Sequence, residues 1–151
     1  MEFYDYSAAD LRLHNLTCGS ADLTQLHFKS NSISSLSCMH TVEHIGVGRD
    51  GDALDTVGDL KTIAELQRVL AKNGNLFFVM PIGAEPLVEF NAHRIYSYDK
   101  IISNFKDLKL ESFVLIGEKF SPGCLVENPS EELLHQQRYG CGCFGSKNQI
   151  K

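Results

Sequence analysis

His40-Thr41-Val42-Glu43-His44 sets two imidazoles and a carboxylate within five residues. A carboxylate or imidazole beside a reacting group can take its proton, so Glu43 and His44 are candidate general bases. The same residues satisfy H-x-x-E-H, in which two histidines one helical turn apart bind zinc. That chemistry needs both histidines on one helix face and a third ligand further on. Here the preceding residues, 34–39, are small and partly apolar and predict a strand. Glu65, the available third ligand, sits in an ordinary amphipathic pattern, so no metal is assigned and zinc hydrolysis is the least favoured chemistry.

Two further carboxylates, Asp5 and Asp22, each follow a short strand-like segment. In an open parallel sheet, ligands bind beyond the carboxyl ends of the strands. A carboxylate there can accept hydrogen bonds from ribose hydroxyls or an adenine amino group. Alone, either aspartate reads first as a turn or cap residue, and their common placement shifts the balance toward a ligand. Gly46, Gly48 and Gly51, with Arg49 among them, resemble a phosphate cradle, but such a loop should follow a strand and open a helix. This one leads into an acidic stretch and reads as a lid or structural turn, with Arg49 a candidate contact for an anionic substrate. Cys141 and Cys143 form a C-x-C pair without the second pair that would complete a zinc site. They read as alternate residues of a closing strand.

The elements that must hold these groups alternate in type. Strands are predicted over 2–6, 16–21 and 34–39. Apolar residues at Leu60, Ile63, Ala64, Leu66, Val69 and Leu70 predict a helix over 59–70, stopped by Asn73-Gly74. Residues 76–80 form a continuous apolar run, as in a strand buried on both faces of a parallel sheet. A short helix over 98–105, capped by Ser97 or Asp99, precedes strands over 108–116 and 139–144. Pro122-Gly123 and Asn128-Pro129 mark a surface excursion between them. This alternation predicts an α/β parallel sheet with an antiparallel final pair.

Composition limits the rest. A chain of 151 residues supports one domain, 1–151, with its own core. A formal net charge of -5 argues against nucleic acid as partner, since phosphate binding wants a basic face. No apolar run reaches the roughly 18 residues of a membrane span, and Met1-Glu2-Phe3-Tyr4-Asp5 does not open a signal peptide. The five cysteines form no disulfide framework, and a cytoplasmic location is expected.

The matching residues Asp22, Leu26, Phe28, Asn31-Ser32-Ile33, Val42-Glu43-His44-Ile45, Arg68-Val69-Leu70, Lys72 and Gly74 resemble the class I S-adenosylmethionine-dependent methyltransferases. Asn73, Asn75 and Ser35 depart from that pattern. Residues 45–52 and 90–95 also resemble a small uncharacterised bacterial group of methyltransferase-like proteins. The resemblance covers roughly residues 4–116 and implies a Rossmann-like fold with S-adenosylmethionine as cofactor. It implies that Asp5 faces the ribose, Asp22 the adenine amino group with the Leu23 amide near the ring, and His40 the methionine end. Glu43 and His44 would lie on the substrate side, with Asn91, His93, Arg94 and Arg49 about a saccharide or small-metabolite acceptor. The family's first strand and glycine-rich turn have no counterpart before Asp5, so an N-terminally truncated sheet is expected. Its two inner edges must then pair with each other, pair with another molecule, or belong to a longer native chain. An active methyltransferase is the first reading. The alternative is a non-catalytic binding or assembly module, forming a homo-oligomer through the exposed edges or a hetero-complex.

Overall fold

The computed structural model describes residues 1–8, 10–49, 52–118 and 125–149. Strands β1 (Glu2–Asp5) and β2 (Thr17–Ser20) form a parallel pair of their own. The main sheet has the order β3-β4-β9-β7-β8, built from β3 (Ile33–Met39), β4 (Leu70–Ile82), β7 (Leu108–Ile116), β8 (Val126–Glu127) and β9 (Gly140–Asn148). Within it β3 and β4 run parallel, while β9 lies antiparallel between β4 and β7. Between β4 and β7 come the hairpin β5 (Leu87–Val88) and β6 (Arg94–Ile95), then helix α2 (Tyr98–Asn104). Helix α1 (Gly58–Val69) connects β3 to β4, and α3 (Glu131–His135) precedes β9. The α/β architecture with an antiparallel closing pair is the expected one.

The core lies on one side of the main sheet. Ile63, Leu66 and Val69 of α1 and Ile101 of α2 cover Leu76, Phe78 and Met80 of β4, Phe113 and Leu115 of β7, and Phe144 of β9. Aromatic contacts fix this layer, edge-on for Phe78–Phe105 with ring centroids 4.8 Å apart and tilted for Phe113–Phe144 at 4.7 Å. The expectation that 76–80 is buried on both faces fails at Phe77, which is 49% exposed. No helix among the described residues covers that second face, where Phe77 stands in line with Ser37 and Gly145.

The end of α1 also differs from expectation. The helix stops at Val69, because Leu70 is already extended at ψ 121° and enters β4. The buried Asn148 amide donates to the Leu70 carbonyl at 2.9 Å and replaces the helical partner that this group loses. Asn73 does take the left-handed conformation expected of a stop signal, at φ 60°, but inside β4. There the register against β3 shifts between Ile33–Leu70 and Ser35–Asn75. Pro122-Gly123 and Cys124 lie outside the described residues.

Among the described residues no ladder joins the β1–β2 pair to β3, so the two inner edges do not pair with each other. Side chains make the connection instead. Arg68 of α1 donates to the Leu26 carbonyl at 2.8 Å and the Phe28 carbonyl at 2.9 Å, while Glu65 accepts from the Leu26 amide at 2.8 Å. Arg68 and Glu65 also pair at 2.6 and 2.7 Å, which holds the Glu65 carboxyl below the usual carboxylate range. Tyr4 of β1 packs edge-on against Phe28, 5.1 Å between centroids.

Candidate functional site

Strand β3 ends at Met39, and His40 after it turns left-handed at φ 51° while its amide still donates to the Val79 carbonyl. A non-glycine residue in that region is uncommon and needs its surroundings to hold it. Residues Val42–His44 then make one 3-10 turn rather than an α-helix, so the H-x-x-E-H residues do not stack along a helix face. The turn drives Glu43 inward, where its residue is only 1% exposed. A solvated first-turn glutamate is therefore not what the chain builds.

Two imidazoles flank this carboxylate. His40 Nδ1 lies 3.0 Å from Glu43 Oε1, and since a carboxylate only accepts, Nδ1 carries the proton. His40 Nε2 is left with a lone pair, 3.5 Å from Cys141 Sγ. His44 Nδ1 donates to the Ala92 carbonyl at 2.7 Å, so its Nε2 accepts from the Arg49 guanidinium at 3.1 Å. The His44 and Glu43 groups approach to 3.9 Å. Among the described residues Glu43 Oε2 has no hydrogen-bond partner. Beyond His44 the rings of His93 and Tyr139 continue the polar wall, at 6.3 and 5.3 Å between successive centroids.

Burial, the neighbouring Cys143 and the Glu43 charge together push the Cys141 thiol up to about 12. Burial and Glu43 do the same to Cys38, also to about 12, and its 6% exposure makes it a packed thiol.

A second buried polar group braces the site from behind. Arg94, 6% exposed, donates to the Ile45 carbonyl and, at 3.3 Å, to the Asp55 carbonyl. Its Nε lies 3.7 Å from Asp59 Oδ2, which also accepts from the Tyr96 hydroxyl. Burial and Asp59 push the Tyr96 phenol well above its ordinary range. Arg94 thus reaches a cavity of about 290 Å³, lined also by Val47, Leu54 and Phe90, with its guanidinium already engaged. Gly46 and Gly48 are both left-handed, and a Cβ on Gly46 would stand 2.1 Å from the Asp55 carbonyl. They shape a structural turn, and Gly51 lies outside the described residues. Asn91 is exposed and left-handed at φ 58°, its amide donating to the Val47 carbonyl.

Asp5 and Asp22 stand apart from this cluster, at the ends of β1 and just beyond β2. Asp5 accepts from the Ser7 amide at 3.0 Å, and Asp22 from the Thr24 amide and hydroxyl at 2.8 and 2.7 Å. Both are exposed, and Leu23 is half-buried beside the core. The structure therefore gathers His40, Glu43, His44, Arg49 and His93, and holds the two aspartates on the separate strand pair. Cys141 joins the cluster although its spacing suggested only a closing strand. Its single sequence signal was the C-x-C pair, which says nothing about a histidine 101 positions away.

Residues 20–109 match the profile of a family described as "Caenorhabditis protein of unknown function, DUF268". The chain belongs to that family. The DUF268 match includes the whole 40–49 cluster and the 91–94 loop, and it ends before Cys141. No curated protein matches the chain in sequence. Among solved structures, a SAM-dependent methyltransferase from Methanosarcina mazei is similar at 11% identity and a TM-score of 0.62, covering 91% of this chain and 69% of that one. The [4+2]-cyclase SpnF is similar at 10% identity and a TM-score of 0.60, covering 91% and 57%. The N-methyltransferase NodS from Bradyrhizobium japonicum, solved with S-adenosyl-L-homocysteine, is similar at 11% identity and a TM-score of 0.55, covering 91% and 57%. The DUF268 chain thus has the Rossmann-like methyltransferase fold and spans 57% of the length of SpnF and of NodS.

Proposed function

We propose that this DUF268 protein is a methyltransferase that binds S-adenosylmethionine and methylates a saccharide or small metabolite. The observation that carries this reading is placement. Asp5, Asp22 and His40 all sit at or just past the carboxyl ends of parallel strands, where an open α/β sheet binds its ligand. Asp5 accepts from the ribose hydroxyls, Asp22 accepts from the adenine amino group, and the Leu23 amide lies near the ring. His40 borders the methionine end. The cofactor supplies an activated methyl group on a sulfonium.

The chain's own residues supply position and proton transfer. His44 Nε2 removes the acceptor's proton once the acceptor takes the place of the Arg49 guanidinium on that nitrogen, and the buried Glu43 carboxylate supports the charge that forms on the imidazole. Arg49, Asn91 and His93 line the acceptor side, and Arg94 braces the turn they rest on. The acidic net charge gives nucleic acid no purchase, no helix among the described residues is long and apolar enough to cross a membrane, and a cytoplasmic setting suits this chemistry. Calorimetric titration with S-adenosylmethionine tests the reading. Binding that weakens at least about tenfold in Asp22→Ala supports it; absence of heat at millimolar ligand overturns it.

The unpaired strand edges favour a second reading. Each of β1 and β3 pairs on one side only among the described residues, and exposed Met39 and Phe77 lie beside the β3 edge. Such edges recruit strands. The DUF268 chain then serves as an assembly module, completing its sheet with a second copy. A clean monomer in light scattering that binds the cofactor excludes this.

A further inference from the structure

We propose that Cys141, His40 and Glu43 form a thiol nucleophile site for acyl-carbon electrophiles, namely esters or thioesters. This goes beyond methyl transfer and stands without it.

The geometry points to it through three links. Cys141 Sγ lies 3.5 Å from His40 Nε2, within hydrogen-bond reach for sulfur. His40 Nδ1 is 3.0 Å from Glu43 Oε1, and this contact fixes the tautomer that leaves Nε2 able to accept the thiol proton. A nucleophile, a base within reach and a group that orients the base are the generalised signature of covalent catalysis.

The third residue is built for that task. Glu43 is 1% exposed, and its Oε2 has no partner among the described residues. A buried carboxylate with an unused oxygen is costly unless positive charge compensates it. The charge arrives when His40 becomes an imidazolium. The side chain of His40 is itself 50% exposed and Cys141 is partly exposed, so a substrate can reach the pair. No group of described His, Cys, Asp and Glu residues has the geometry to hold a metal, which leaves the Cys141–His40–Glu43 contacts without a metal-ligand role to explain them. Cys143, two residues along the same face of β9, is the internal control.

The reaction proceeds in two halves. Cys141 Sγ bonds to the acyl carbon as its proton passes to His40 Nε2. The tetrahedral adduct collapses, the bond to the leaving oxygen or sulfur breaks with its electron pair, and the leaving group takes the proton from His40. Water then gives a proton to His40 and attacks the thioester, releasing the acid and restoring the thiol. The elevated Cys141 thiol means that the resting site holds a neutral S–H, so the base acts during attack rather than before it.

The test uses the full chain with p-nitrophenyl acetate as probe, following p-nitrophenolate release and locating the acetyl group by peptide mass spectrometry. A burst of one equivalent is expected, with acetyl on Cys141. Cys141→Ala abolishes the burst and Cys143→Ala keeps it. His40→Asn, which suits the left-handed backbone at that position, slows it by about 100-fold or more. Glu43→Gln slows it and moves the pH–rate profile, which a purely structural role would not do. If Glu43→Gln fails to fold, His40→Asn decides alone. Acetylation of Cys141 no faster than that of Cys18, or a rate indifferent to His40→Asn, overturns the proposal.

Discussion

At the scale of single residues, Glu43 and Asp22 show how differently two carboxylates are used. Asp22 sits in water and organises its own turn through Thr24, and under the proposed function its exposed face meets the cofactor. Asp22→Ala should therefore lower cofactor affinity at least about tenfold while removing only a local turn contact worth about 1 kcal/mol. Titration read beside a urea midpoint separates the two effects. Glu43 is the reverse case, buried and pinned between imidazoles. Its identity was legible in the sequence; its burial was not, because a single 3-10 turn has no periodicity to read. Asp22 was legible in both identity and placement, since a short strand followed by an aspartate fixes the local geometry.

At the scale of elements, β4 and α1 carry the stability. Adjacent residues of β4 face opposite environments, Phe78 buried in the aromatic layer and Phe77 on the open face. Phe78→Ala should cost about 3–5 kcal/mol. Phe77→Ser should stay within about 0.5 kcal/mol. Paired urea titrations check the contrast, and equal losses would mean that the open face is covered. The apolar run of β4 hid this asymmetry, since side-chain hydrophobicity alone does not say how many layers a sheet has.

Helix α1 carries a pH dependence through Glu65. Its folded carboxyl titrates below the unfolded one, because Arg68 and the Leu26 amide hold the charged form. The resulting stabilisation is complete above the unfolded carboxylate range and is lost as the pH falls through the folded value. A denaturation series from pH 7 towards pH 3 should show a loss in wild type that is smaller in Glu65→Gln, which lacks the contribution throughout.

At the scale of the molecule, the separate β1–β2 pair leaves β3 as an open edge of the main sheet. If a second copy fills that edge, light scattering should show a dimer, and Met39→Lys should return it to monomer, because a charged residue beside an edge discourages pairing. Part of this architecture was legible: β1, β2, β3, α1, β4, α2, β7 and β9 follow from the alternating patterns, while the short β5, β6, β8 and α3 were not read. The position of β9 between β4 and β7 was not. A chain order says little about which strands become neighbours, and that insertion is what carries Cys141 to His40.

The bridge from Arg68 and Glu65 to the 26–28 backbone has a further consequence. It joins the β1–β2 pair to the main sheet together with the buried Ala21 and Leu26, and among the described residues no ladder is shared. Such a segment can open without disturbing β4 or β9, at a free energy below that of global unfolding. Two melting units are then expected in a thermal scan, and Asp5 and Asp22, the carboxylates proposed to meet the cofactor, ride on the weaker one. A ligand that touches both units would weld them into one cooperative transition, raising the lower transition first.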